Sequence, residues 1–143
     1  QKYSGGGPLT LVDGLTGTTN YNDGYWQGWE GEDLDVVIDL GEPEFIEKIS
    51  LSFLEAQGSW IFLPTDVVVS FSDEGNSFKH EKKLSLIDGE NFGENNRKVV
   101  DMNSLNSSGR FVRVQAINRK ICPEWHDGAG EKAWIFADEI VVK

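Results

Sequence analysis

The sequence predicts an all-β sandwich or barrel, and three observations carry the prediction. Short stretches alternate apolar and polar residues with a period of two. Loops rich in Gly, Asn, Asp and Ser separate them at short intervals. No window of ten residues or more holds a helical period, because Pro and Gly interrupt each candidate.

Taken in order, Leu34–Leu40 places Leu34, Val36, Ile38 and Leu40 on one face with acidic residues between them, as in a half-buried antiparallel strand. Gly41-Glu42-Pro43 is expected to close it. Ile49–Phe53 and Val67–Phe71 repeat the pattern, and Ser72–Ser77 is a turn by composition. Phe78–Leu86 is polar and edge-like. Lys98–Met102, Phe111–Ala116 and Ala133–Val142 complete the strands. With no repeat, low-complexity tract or linker, residues 1–143 are expected to form one domain.

The stretch from Thr10 to Trp29 is too rich in Gly, Asn, Asp and Thr for a strand interior, and too long and aromatic for a simple connector. Three further loops carry aromatics: Glu55–Pro64, Asp88–Asn96 and Cys122–Gly130. Five tryptophans exceed what the core of so small a domain needs. Trp134 leads into the last strand and is expected in the core, and Trp26 is expected to point inward. Trp29, Trp60 and Trp125 are flanked by Gly, Ser, Glu and His, so at least two of them are expected at the surface, Trp29 among them.

A net charge of -11 argues against nucleic acid, which demands a basic footprint, and against an anionic membrane surface. No apolar run approaches the roughly 20 residues that cross a bilayer. The lone Cys122 excludes an internal disulfide and argues against a metal site built on thiolates. The chain begins at Gln1 without a signal peptide, as expected of a mature domain excised from a larger protein. There is no Gly-x-Ser-x-Gly elbow, phosphate loop or His-Glu-x-x-His, and His80 and His126 are too few for most acid–base or zinc schemes. The chain is therefore read as a non-enzyme.

Two features point to chemistry. Asp13 and Thr18 offer side-chain oxygens five residues apart, with Gly14 and Gly17 letting the backbone curl between them. The residues alone leave two readings open, an Asx turn or an oxygen-lined calcium site. The loop aromatics suit a sugar, whose apolar C–H faces stack on rings while side-chain amides and carboxylates meet its hydroxyls. In a sandwich, loops at one end would bring Tyr25, Trp29, Gln57, Trp60, Asn95, Trp125 and His126 together as the binding set. Gln27, Glu30, Glu55, Asn91 and Asn96 are further polar candidates, and His126 is the candidate donor to a hydroxyl.

Asp13-Gly14 with Thr18 and a following Trp, then Val37-Ile38-Asp39-Leu40-Gly41, resembles the opening of the discoidin-like (coagulation factor 5/8 type C) domain family. Pro64 before a Val-rich strand, the turn Ser72–Phe78, Gly109–Val114 and Ile135–Ile140 continue the resemblance in order across nearly the whole chain. Glu74 stands where the family's turn usually has Asp. Within the family the chain is most similar to family 32 carbohydrate-binding modules, and Asn20–Gly28 looks like modules appended to bacterial chitobiases (β-N-acetylhexosaminidases).

The resemblance implies a galactose-binding-domain-like jelly-roll β-sandwich of about eight strands. It implies a structural Ca2+ held by side chains of Asp13, Thr18 and Glu139 and by backbone carbonyls of Thr10, Leu15, Thr18 and Asp138. It further implies carbohydrate as partner (terminal N-acetylhexosamine or galactose-type sugars), an attached catalytic domain, a monomer, and an extracytoplasmic location: periplasmic, cell-surface or secreted. Galactose-binding members pair a His, an Arg and an Asn about the aromatic. The first and second loops here lack His and Arg, which points away from that set. Asp138 and Glu139 are adjacent in an alternating strand, so their carboxylates are expected on opposite faces rather than as a catalytic pair. The competing readings are a protein-adhesion domain of the same fold, a purely structural accessory domain, and a glycosidase with a chance carboxylate pair.

Overall fold

A computed structural model describes residues 3–4, 26–86, 96–124, 126 and 128–143. Its strands are β1 (Tyr3–Ser4), β2 (Gln27–Glu30), β3 (Leu34–Ile46), β4 (Ile49–Glu55), β5 (Asp66–Ser72), β6 (Lys79–Ser85), β7 (Asn96–Met102), β8 (Ser107–Ile117) and β9 (Trp134–Val142). They form two antiparallel sheets, ordered β1-β2-β9-β4-β7 and β3-β8-β5-β6. Strands β2 to β9 make up the eight-stranded sandwich, with one 3-10 turn at Gln57–Ser59 and no α-helix among the described residues.

The period of two explains the architecture. Ile49, Leu51 and Phe53 of β4 and Ile135, Ala137 and Ile140 of β9 enter the space between the sheets. They meet Val67, Val69 and Phe71 of β5 and Val112 and Val114 of β8. Phe78–Leu86 was expected at an edge, and β6 lies there, its lysines blunting the open side of the sheet. The solvent face of the four-stranded sheet carries bidentate pairs from Arg113 to Asp35 (2.9 and 2.7 Å) and from Arg110 to Asp39 (2.7 and 2.8 Å).

Three expectations are corrected. Gly41-Glu42-Pro43 does not end β3; the strand runs on to Ile46 through a register shift between Asp39 and Glu44. The turn chemistry is present but makes a bulge: Gly41, at φ 88°, donates its N–H to Asp39 Oδ1 at 2.8 Å. Gln27–Glu30 is not loop but strand, paired along β9. Gly28 allows this, because a Cβ there would lie 2.7 Å from the Phe136 ring. In β9, Ser52 faces Glu139 while Phe53 faces Ala137, so Asp138 is a bulged residue. Ala137 and Ile140 both enter the core, and the bulge turns Asp138 and Glu139 to the same outer face rather than to opposite ones.

The Ser72 turn explains how Glu74 replaces the family's Asp. The Ser72 hydroxyl accepts the N–H groups of Glu74 (3.3 Å) and Gly75 (2.8 Å), so residue 74 supplies only its backbone.

Asp39 yields a pH prediction. The hydrogen bond from Arg110, then the Gly41 N–H and the Arg110 charge, hold its carboxyl at about 2 against an ordinary 3.8. A depressed folded-state value means the stabilisation is present above pH 3.8 and is lost as pH falls toward 2. NMR titration of the Asp39 carboxyl is expected to give a midpoint near 2 that returns toward 3.8 in Arg110→Ala. An unshifted midpoint in the parent protein would contradict the pair.

Candidate functional site

The aromatic site is built at the end of the sandwich where β4 leaves its sheet and β9 enters. Ala56 and Ile61 bridge each other, and Ile61 bridges Trp134 in parallel. The Trp134 N–H donates to the Trp60 carbonyl at 2.9 Å, and the Phe62 N–H donates to the Trp134 carbonyl at 3.0 Å. These bonds fuse the loop to β9. The chain closes through the Gln57–Ser59 turn and leaves it at Trp60, in left-handed conformation with φ 63° and ψ 25°. That conformation costs a side chain with a Cβ about 1–2 kcal/mol.

The Trp60 indole rests against Gly128 of the opposing loop. A Cβ at Gly128 would stand 2.6 Å from the Trp60 Nε1, so only glycine lets the ring lie there. Trp60 remains 40% exposed and is the large exposed aromatic of this loop cluster among the described residues.

Beneath it, His126 is a strut. Its Nε2 stands 2.6 Å from the Gln57 carbonyl, which can only accept, so Nε2 carries the proton. Nδ1 then accepts the Gly128 N–H at 2.9 Å. The imidazole stands edge-on to Phe62 at 5.1 Å between centroids, and the Arg119 guanidinium lies 4.9 Å from the same Phe62 ring. His126 was expected to donate to a ligand hydroxyl; instead both ring nitrogens meet the backbone, and the residue is buried.

Gln57 is likewise buried, its amide facing the Glu55 carboxylate at 3.4 Å. Trp29 was expected outward but is only 9% exposed: its position in β2 points it between the sheets. Trp26 and Trp134 are buried as expected. Of the proposed ligand set, Gln57, Trp60 and His126 come together. Tyr25, Asn95 and Trp125 lie outside the described residues, as does Asn91.

Asn118 was not singled out from the sequence, yet it braces this end. Its buried side-chain amide reaches the carbonyls of Trp29 (3.2 Å), Glu32 (3.0 Å) and Ala133 (3.2 Å), and its Oδ1 accepts the Lys120 N–H at 2.8 Å. Asp33 accepts the Asn118 N–H at 2.8 Å and pairs with the Lys120 ammonium. An amide directly after a strand is the only local signal, because its partners are distant in sequence. Cys122 is buried, and burial pushes its thiol above the ordinary value, which suits packing rather than nucleophilic chemistry.

The second predicted cluster is on the outer face of the five-stranded sheet. Asp138 is fully buried; its Oδ2 accepts from Arg97 Nε at 3.2 Å, while Arg97 Nη2 donates to Ser52 Oγ at 2.7 Å. Glu139 lies beside it, half-buried and opposite Ser52. The Asp138 carboxylate is thus engaged within the protein by Arg97. Thr10, Asp13, Leu15 and Thr18 lie outside the described residues. Among the described residues, no three His, Cys, Asp or Glu side chains form a metal-holding group by themselves.

Comparison with known proteins agrees with this architecture. The sequence model of the F5/8 type C domain matches residues 1–136. No curated protein sequence matches. Among solved structures, a Streptococcus pneumoniae fucose binding module is 16% identical with a TM-score of 0.62, over 96% of this chain and 82% of that one. The C-terminal domain of a chitobiase from Bacteroides fragilis is 16% identical with a TM-score of 0.55, over 95% and 78%. The family 32 module of AlyQ, in complex with 4,5-unsaturated mannuronic acid, is 11% identical with a TM-score of 0.57, over 99% and 88%.

The Gly128 contact gives a direct test of the platform. Gly128→Ala is expected to displace the indole and to cost about 1–3 kcal/mol through overpacking. The Trp60 indole N–H resonance, assigned by Trp60→Phe, should move in Gly128→Ala and the melting temperature should fall. An unmoved resonance would show that the two loops do not touch.

Proposed function

The chain belongs to the F5/8 type C domain family, a family of non-catalytic binding domains, and from that premise we propose that it is a carbohydrate-binding module. The observation that carries this reading is Trp60: a large ring fixed outward by a left-handed backbone, with Gly128 against the ring and His126 joining the two loops behind it. A pyranose stacks its C–H face on such a ring, and a rigid ring loses little entropy in the complex. The neighbouring fucose binding module and the mannuronic acid complex support the ligand class.

The ligand we propose is a glycan ending in an N-acetylhexosamine or galactose-type sugar. Tyr25, Asn95 and Trp125 complete the surface in this reading. The module acts outside the cytoplasm and serves an attached chitobiase-like glycoside hydrolase, raising the enzyme's effective concentration at its substrate. Trp60→Ala should weaken glycan retention at least tenfold, about 1.4 kcal/mol, at a temperature where its circular dichroism still matches that of the folded parent. A glycan array with parent and variant reads this out, and equal binding by both would remove Trp60 from the site.

The same reading includes a structural calcium. Glu139 would contribute its carboxylate and Asp138 its carbonyl, with the side chains of Asp13 and Thr18 and the carbonyls of Thr10, Leu15 and Thr18. The donors are all oxygen, which suits a hard cation. Such an ion would join the N-terminal segment to β9, next to the sheet where β1 already pairs with β2. At 100-fold excess over its dissociation constant, calcium would stabilise the fold by about 2.7 kcal/mol, on the order of 5–10 °C in melting temperature. Glu139→Gln should shrink that shift. If neither calcium nor chelator moves the melting curve, the ion has no structural role, and the sugar reading stands independently.

A further inference from the structure

A cleft of about 490 Å³ opens beside the Ser72–Phe78 turn, and the reading above leaves it unused. It lies at the far end of the sandwich from Trp60: Trp60 precedes β5 and the cleft follows it, about 20 Å away along the strand. Its size falls in the roughly 300–1,000 Å³ range of small-molecule sites. Asp73, Asn76, Lys79, His80, Asn106 and Ser108 line it, with Phe71 as a buried apolar floor.

Two of these residues hold backbone conformations that side chains with a Cβ disfavour. His80 has φ 57° and Asn106 has φ 46°. His80 lies at a bulge where the β5–β6 register slips between Val69 and Phe71. A bulge that blunts an edge strand accounts for His80 by itself. Asn106 reaches the same cleft from a different connection, β7–β8, in a left-handed conformation that Asn adopts readily, so two elements distant in sequence bring polar side chains to one place. Bulges and disfavoured backbone gather where side chains must be aimed at a ligand.

The lining also defines a ligand class. It mixes amides and hydroxyls with the carboxylates of Asp73 and Glu74 and the Lys79 ammonium, leaving no large net charge, as a neutral, hydroxyl-rich molecule requires. Phe45 stands beside the cleft rather than in its lining: it pairs directly with the lining residue Ser108 across β3 and β8 and is 59% exposed, so its ring is placed at the rim. We propose that this cleft is a second saccharide-binding site, with His80 and Asn106 as hydrogen-bonding residues and Phe45 as the stacking ring. It shares the ligand class of the Trp60 reading but none of its residues. Two sites facing opposite ways would let one module bridge two glycan chains, with the avidity that linked sites confer.

The test is a titration of the isotope-labelled chain with N-acetylglucosamine, N-acetylgalactosamine, galactose and fucose, read by amide NMR. At least one sugar should shift residues 72–77 and 106–108 saturably, and the shifts should persist in Trp60→Ala. The double variant His80→Gly/Asn106→Gly keeps the left-handed backbone accessible and should lose them while melting no lower than the parent. Phe45→Ala, a change at an exposed ring, should weaken the same titration several-fold and serves if the double variant is poorly folded. Shifts confined to the Trp60 loop overturn the second site and leave the first. Shifts confined to the cleft do the reverse. No shift at the cleft with any of the four sugars, loss of its shifts in Trp60→Ala, or survival in both cleft variants overturns the proposal.

Discussion

The first half of strand β9, ahead of the Asp138 bulge, is apolar on both faces. Ile135, Ala137 and Ile140 enter the space between the sheets, while Trp134 and Phe136 face the other way. A sheet buried on one side only would leave those rings in water, so the outer face must be covered too. Trp26, Leu54, Ala56 and Ile61 form a second cluster around them. Phe62, Cys122 and Ala133 form a third. Much of the tryptophan surplus follows from this two-sided burial, and so does the site: the segment that brings Ile61 and Phe62 to β9 is the one that carries Trp60 outward. Platform and packing are consequences of one constraint.

The sandwich was legible because its signal is local. Alternation in Val67–Phe71 or Phe111–Ala116 needs nothing from elsewhere in the chain, and both segments are strands. The misreadings share a cause of the opposite kind. Gly28 looks like a loop residue until Phe136 is known to press against it, and Gly41 looks like a terminator until Asp39 is seen holding its N–H in a bulge. The slipped register at Asp138 depends on how β4 pairs with β9, which composition does not encode. Trp29 was assigned outward on the polarity of its flanks, whereas strand parity points it inward.

For the site, the sequence located the loops but not the division of labour within them. Gln57 and His126 have the chemistry of sugar ligands, and in the folded chain that chemistry is turned toward the protein. The Gln57 side-chain amide faces Glu55, its backbone carbonyl meets His126 Nε2 across 69 residues of sequence, and the His126 Nδ1 accepts the Gly128 N–H within its own turn. Buried polar atoms need partners, and a loop that projects an aromatic from a sandwich end must satisfy its own backbone first. Polar side chains close to the platform therefore serve it before any ligand, and the exposed ones must be sought farther out.

This order of priorities bears on affinity. A ring held by its own backbone bonds, a glycine contact and a histidine strut has already lost its conformational freedom in folding. Binding then forfeits little entropy, so a single shallow stacking contact can yield useful affinity where a mobile ring would not. The disfavoured φ of Trp60 is offset by the Trp134 N–H that locks its carbonyl and by the Gly128 surface that receives its indole. In the proposed site, preorganisation of this kind would tie the strength of sugar binding to the integrity of the loop pair, not to the number of groups that touch the sugar.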